Sequence, residues 1–164
     1  MKTIAPSELN ENIFKLIGSD WMLVTSGNME KYNTMTASWG GVGVLWNKNV
    51  CNVYIRPSRY TYEFIENSKS LTLSFFDEDY RDVLKFCGSH SGRDCDKAKE
   101  CSLTPIRVSD SIAFSEAKLI IKCKVLYKQD MTEANFIDKA LLSNYKDGDF
   151  HRIYTCEIEE ILVK

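Results

Sequence analysis

Two guanidinium groups, two aliphatic hydroxyls and a proline fall within the six residues Arg56-Pro57-Ser58-Arg59-Tyr60-Thr61. They stand where an apolar strand pattern, Val50 to Ile55, hands over to a helical pattern ending near Asn67. Pro57 has no N–H and fixes the turn, and Ser58 is a good N-cap for the helix that follows. A helix N-terminus presents unpaired N–H groups and the positive end of the dipole, which attract a phosphate. Arg56 and Arg59 would add charge-assisted bonds, with the hydroxyls of Ser58 and Thr61 as further donors. An ordinary capped helix with two solvated arginines uses the same residues, so the cluster by itself favours a phosphate site only slightly.

The elements that must position this cluster come from a chain of 164 residues, most simply one domain with a real core. Net charge is −2, with Lys and Arg scattered among the acids, so no basic face recruits nucleic acid. No apolar run approaches the roughly 20 residues that span a bilayer. Met1 to Leu9 holds no hydrophobic signal core, and a cytoplasmic protein is expected. The six cysteines contain no C-x-x-C pair, and only two histidines accompany them, so free thiols are expected. Cys51, Cys123 and Cys156 read as small buried hydrophobes. Cys87, Cys95 and Cys101 share one polar region, where a redox thiol is the less favoured alternative.

Along the chain, Leu9, Ile13, Leu16 and Ile17 share one face of a short helix opened by Ser7 and closed by Gly18. Strands are expected at Trp21–Ser26, Thr34–Trp39, Val50–Ile55, Ser70–Phe76 and Lys118–Lys128, with one or two more in Phe150–Val163. Gly40, Gly41 and Gly43 mark either a bulge where a ligand or backbone comes close, or a flexible loop. In the 118–128 strand Leu119, Ile121, Cys123, Val125 and Tyr127 share a face, and the opposite, lysine-bearing face is expected on the barrel exterior. Helices are expected from Asp79 to Gly88, around Lys97, and from Thr132 through Leu141, with a polar loop at Ser89–Asp94. Six or seven strands at this spacing fit a sandwich or barrel better than a regular strand–helix alternation. Neither G-x-G-x-x-G after a strand nor G-x-x-x-x-G-K occurs, so the nucleotide-binding α/β folds are not indicated.

Four segments, taken in order, resemble the flavin reductase-like family, closest to its flavoredoxin-like branch. They are Asn33–Gly41, the run from Asn49 through the arginine cluster to Phe76, Gly88–Lys97, and Asp149–Ile158. The resemblance implies a mainly β fold with short helices, a Greek-key FMN-binding split β-barrel, as one domain over residues 1–164. It implies a homodimer with one FMN in a groove of each barrel. Met35, Thr36, Ala37, Ser38 and Trp39 would lie along the isoalloxazine, where backbone amides tune its electronics. Arg56, Ser58, Arg59 and Thr61 would cradle the phosphate. Ser91, Gly92, Arg93 and Lys97 would belong to a loop closing over the cofactor, in one arrangement from the partner subunit. His151 matches a histidine at the flavin edge, although a satisfied strand histidine is the favoured reading without the resemblance. Two departures stand out: Cys156 where relatives often carry glycine, and Cys101-Ser102 in place of a glycine-containing turn.

Three functions are compatible with these residues. The leading one is an NAD(P)H:flavin oxidoreductase in which NADH or NADPH gives a hydride to FMN and electrons pass to an acceptor, for which a protein is one candidate. Stacking and water exclusion serve that chemistry, so the absence of a catalytic triad does not count against it. The second is a flavoredoxin-type FMN electron carrier reduced by a protein partner. The third, a haem module with His90 or His151 as axial ligand, is disfavoured by the phosphate-type cluster.

Overall fold

In the computed structural model, which describes residues 1–164, every expected strand forms and four more join them. The strands are β1 (Lys2–Ile4), β2 (Met22–Gly27), β3 (Tyr32–Ala37), β4 (Gly40–Leu45), β5 (Lys48–Ile55), β6 (Ser70–Phe75), β7 (Pro105–Val108), β8 (Ser111–Phe114), β9 (Leu119–Asp130) and β10 (Arg152–Val163). The α-helices are α1 (Ile13–Lys15), α2 (Tyr60–Ser68), α3 (Arg81–Ser89) and α4 (Lys97–Glu100).

One antiparallel sheet runs β3-β2-β6-β9-β10-β5-β4, with β1 also paired to β10, while β7 and β8 form a separate hairpin. β3 and β4 lie at opposite edges of this sheet, yet only Ser38 and Trp39 separate them in the chain. Three Cα–Cα steps reach at most roughly 11 Å. The sheet must therefore curl until its edges nearly meet, leaving an open seam at Ser38-Trp39. This is the split-barrel architecture. The glycine run that reads equally as bulge or loop is β4, paired in register with β5 from Gly40↔Val53 to Leu45↔Lys48.

The barrel interior is filled by alternate residues of the curled strands, among them Val24, Met35, Val53, Ile55, Leu71, Leu73, Ile121 and Tyr154. Cys51, Cys123 and Cys156 are buried there, with the Cys51 and Cys123 sulfurs 3.3 Å apart, and all six cysteines are free. A second core lies outside the sheet, where the β7–β8 hairpin, α3 and α4 pack Leu84, Ala98 and Phe114 against Leu23 and Ile120. That cover explains why every residue of β6 is buried despite its polar alternation. Ser70 Oγ meets Ser111 Oγ at 2.6 Å, and Thr72 Oγ1 donates to the Ile112 carbonyl. It also corrects the expectation of an exterior lysine face on β9. Lys122 is buried, with its ammonium 2.8 Å from Asp110 and paired with Glu159, and only Lys124 and Lys128 reach solvent.

The other departures concern helix continuity. The expected N-terminal helix breaks into a turn at Pro6–Glu8, α1, and a π-helical turn at Leu16–Asp20. The Asn12 side chain accepts from Lys15 N–H at 3.1 Å and starts a new turn, which separates these pieces. The expected helix from Thr132 is likewise two 3-10 stretches, Glu133–Asn135 and Lys139–Tyr145, because Asp138 accepts from Ala140 N–H at 2.9 Å. Asp79 lies inside a 3-10 turn leading into α3 and does not cap it, and α3 ends at Ser89.

Candidate functional site

Two adjoining cavities open beside the barrel seam. The first, of about 190 Å³, is lined by Met35, Thr36, Ala37, Ser38 and Trp39 from the end of β3, with Tyr54, Arg56, Arg59 and His151. Eight of these nine were expected from the sequence; Tyr54 was not. The second, of about 240 Å³, lies at the start of α2 and the end of α3. It brings Ser58, Arg59 and Thr61 together with Ser91, Gly92 and Lys97, and adds Asn33, Tyr60, Gly88, Ser89 and His90. Met35 and Arg59 line both cavities, so the two form one elongated cleft with an aromatic end and a polar end.

The polar end is built by backbone turns. α2 begins after Arg59, which is its N-cap without any side-chain cap bond. Ser58 therefore does not cap the helix as expected, and its hydroxyl donates to Asp149. Thr61, fully buried in the first turn, accepts from Asn33 Nδ2 at 2.7 Å. The 88–97 loop is anchored by Lys97, whose buried ammonium donates to the Cys87 and His90 carbonyls at 3.0 Å each. Burial lowers the Lys97 pKa, with the Arg59 cation acting in the same direction. Arg59 Nη2 is buried without any hydrogen-bond partner. Burial and then the neighbouring Arg56 cation lower the Arg59 pKa, partly opposed by Asp149. A buried guanidinium nitrogen left unpaired is costly unless an anion completes it.

The two arginines of the cluster are separated in space. Arg56 does not reach the polar end. Its Nη1 donates to the Asp149 carbonyl at 3.0 Å and its Nη2 to the Asn144 carbonyl at 2.8 Å, and it lies 5.1 Å over the Tyr145 ring. The expected place for Arg56 in a phosphate cradle is thus taken by a clamp on the 144–149 turn, and Arg56 lines the aromatic end. Arg93 lines neither of the two cavities. It donates to the Ser58 carbonyl at 3.2 Å, pairs with Glu63 and lies 4.6 Å over the Tyr60 ring, all within its own chain.

His151 opens the segment leading into β10 and is 7% exposed, with its Nδ1 2.9 Å from the Tyr145 hydroxyl. The Trp39 ring lies 5.2 Å from the imidazole and the Tyr54 ring 6.5 Å. Burial, reinforced by the Arg56 cation and partly opposed by Asp149, lowers its pKa to about 4, so it is neutral near pH 7. Tyr145 sits in a 3-10 stretch whose sequence carries no functional signal. Beyond Ser38, Trp39 and Tyr54 the aromatic end continues into an apolar trough of about 690 Å³ that includes Phe14, Ile17, Val42 and Tyr145.

The model of the flavin reductase-like domain matches residues 14–164. The chain belongs to the flavin reductase-like family. Comparison with curated proteins gives no match. Among solved structures, this flavin reductase-like chain is similar to the flavoredoxin of Desulfovibrio vulgaris (Miyazaki F), with 20% identity, 98% of this chain and 77% of that one covered, and a TM-score of 0.70. It is also similar to an FMN-binding protein from Thermus thermophilus, with 18% identity, coverage of 99% and 78%, and a TM-score of 0.68. Nitrilotriacetate monooxygenase component B from Bacillus cereus matches at 18% identity, 99% and 81% coverage and a TM-score of 0.68. At these identities the likeness carries the fold, and the site must be argued from its own residues.

Proposed function

We propose that this chain is an FMN-dependent oxidoreductase that takes reducing equivalents from NADH or NADPH and passes them to an acceptor. The observation that carries this reading is Arg59, a residue that lines both cavities and whose guanidinium keeps one buried nitrogen, Nη2, without a hydrogen-bond partner in the chain. A phosphate at the polar end would complete that guanidinium, with the Ser58, Ser91 and Thr61 side chains nearby. The aromatic end suits a flat heteroaromatic ring, and the backbone of Met35 to Trp39 runs along it. The residues present therefore fit FMN. Bound FMN supplies two-electron chemistry with a nicotinamide and one- or two-electron transfer onward.

The protein's own contribution is to hold, orient and exclude water. Arg59 holds the anion, and Arg56 holds the 144–149 turn against the cleft. Trp39, Tyr54 and the trough residues offer apolar surface on which a nicotinamide ring can lie. Neutral His151 offers a hydrogen bond without a net charge, which suits positioning rather than proton transfer.

A homodimer is part of the same proposal. β4 is a sheet edge, and Val44, Leu45 and Trp46 at its end are exposed apolar side chains, with Phe14 90% exposed nearby on the trough. An apolar, unpaired edge invites a second copy. The charge balance and the scattered lysines give no reason to invoke nucleic acid. No helix is long and apolar enough to cross a membrane.

The test is an anaerobic one on purified protein loaded with FMN. Bleaching of the flavin band by NADH or NADPH alone, with no other protein present, is the expected result. Absence of bleaching with both nicotinamides would leave an electron carrier reduced by a protein partner. Failure to take up FMN at all would remove both readings.

A further inference from the structure

His151 makes a single side-chain hydrogen bond, through Nδ1 to Tyr145. Its Nε2 has no partner in the chain and yet is not among the sealed polar atoms, so it opens on the cleft that the ring lines. The protonation of Nδ1 therefore decides what the cleft sees. If Nδ1 carries the proton, Nε2 is a lone-pair acceptor; if Nδ1 is bare, Nε2–H is a donor.

The Tyr145 hydroxyl has two acceptors within reach, His151 Nδ1 at 2.9 Å and Met131 Sδ at 3.5 Å. A thioether is a weak acceptor and an imidazole nitrogen a strong one. A phenol O–H is also a better donor than a neutral imidazole N–H, and an imidazole nitrogen a better acceptor than a phenol oxygen, which favours O–H···Nδ1 over the relay in which Nδ1–H donates to the phenol and the phenol to Sδ. The phenol is also held rigidly. Phe150 stacks on its ring at 4.9 Å, and Arg56 covers the ring while bonding carbonyls on both sides of it, at Asn144 and Asp149.

We propose that Tyr145 is a positioning residue that fixes His151 as the neutral Nε2–H tautomer and so presents an uncharged hydrogen-bond donor on the open side of the cleft. Among the charged and titratable groups facing His151, Arg56 favours the neutral ring and Asp149 partly opposes it. These groups are Arg56, immediately after β5, Asp149 from the preceding turn, Tyr145 itself and Tyr54 from β5. Burial and the Arg56 cation disfavour the imidazolium, leaving the choice between the two neutral tautomers to Tyr145. A neutral N–H donor can bond a carbonyl oxygen, such as that of a carboxamide, without requiring a charged partner. The assignment to the nicotinamide carboxamide rests on the proposed oxidoreductase function; the tautomer does not.

The direct experiment is nitrogen NMR of ¹⁵N-histidine-labelled protein near pH 7, with and without FMN. With only His90 and His151 in the chain, a His90→Gln sample assigns the signals. Expected is a bare Nδ1 and a protonated Nε2 at His151, and a shift toward a tautomer mixture in Tyr145→Phe, which keeps the ring. A protonated Nδ1 in the wild type, or an unchanged tautomer in Tyr145→Phe, would overturn the proposal, and the wild-type spectrum alone can do so if the variant folds poorly. As a second readout, Tyr145→Phe should slow anaerobic reduction by NAD(P)H by about tenfold, one hydrogen bond's worth, with dithionite reduction and FMN affinity unchanged. Equal rates for variant and wild type would remove the positioning role. Wild-type protein inert to both nicotinamides would instead sink the function proposed above, while the NMR result would still decide the role of Tyr145.

Discussion

Gly92 and Asn33 touch so closely that a Cβ on Gly92 would fall 1.8 Å from Asn33 Oδ1. The glycine is needed here for approach, not for an unusual backbone angle. It lets the 88–97 loop lie against the asparagine whose amide holds Thr61 at the start of α2. Two segments of the polar cavity are thereby locked to each other through β3.

Gly92→Ala should therefore displace Asn33, break its bond to Thr61 and open the polar cavity. A loss of about 1–3 kcal/mol in FMN binding is expected, the scale of an unmade buried hydrogen bond. Calorimetric titration with FMN checks it; wild-type affinity in the alanine variant would show that the contact is not needed for binding.

Arg59→Leu should move two quantities in opposite directions. The variant removes a buried, unpaired guanidinium, so the FMN-free protein should be as stable as wild type or more so. FMN affinity should fall about 10- to 100-fold while riboflavin, which lacks the phosphate, is little affected. Equal losses for the two flavins would place Arg59 away from the phosphate. Arg56→Leu should instead loosen the 144–149 turn and affect both flavins alike.

His151 gives a pH signature of stability. Its folded pKa, about 4, lies below the ordinary value of 6.5, so the unfolded chain binds the extra proton first. Stability contributed by the neutral buried ring is present above pH 6.5, is lost as pH falls through that window, and is fully lost below about 4. Denaturant titrations between these pH values should show a slope that His151→Gln flattens; an unchanged slope would mean the imidazole is not held neutral.

Glu66 contributes at lower pH. Burial raises its pKa, but this is outweighed by hydrogen bonds from Lys128, Tyr154, Arg152 and Lys69, which leave it at about 2 against an ordinary 4.5. Its contribution is present above pH 4.5 and lost as pH falls toward 2. Glu66→Gln should be less stable at neutral pH and less sensitive to acid, measured by thermal melts across that range.

For the dimer, native mass should be about twice 18.8 kDa. Trp46→Glu, a charge at the exposed end of the β4 edge, should shift the protein toward monomer in sedimentation. A wild-type monomer with full FMN affinity would remove the second copy from the site.

Much of this was legible in the chain itself, because strand alternation and the composition of Met35–Trp39 and Arg56–Thr61 are local properties that short-range sterics and hydrogen bonding enforce. The six expected strands and the free core thiols follow from such patterns, whereas Met35 to Trp39 and His151 were marked as site residues only by the family resemblance. What the chain could not display is which of the cluster's two arginines keeps an unpaired nitrogen. That was decided by carbonyls 88 and 93 residues away, which captured Arg56 and left Arg59 alone. Ser58 was diverted from its capping role by Asp149 in the same way, and Tyr145 found His151 only once the turn between them was pinned. The burial of Lys122 and the polar face of β6 likewise depended on the β7–β8 hairpin laid over them. A donor's partner is chosen by which groups the folded sheet brings within about 3 Å, and that proximity is a property of the closed chain rather than of any segment in it.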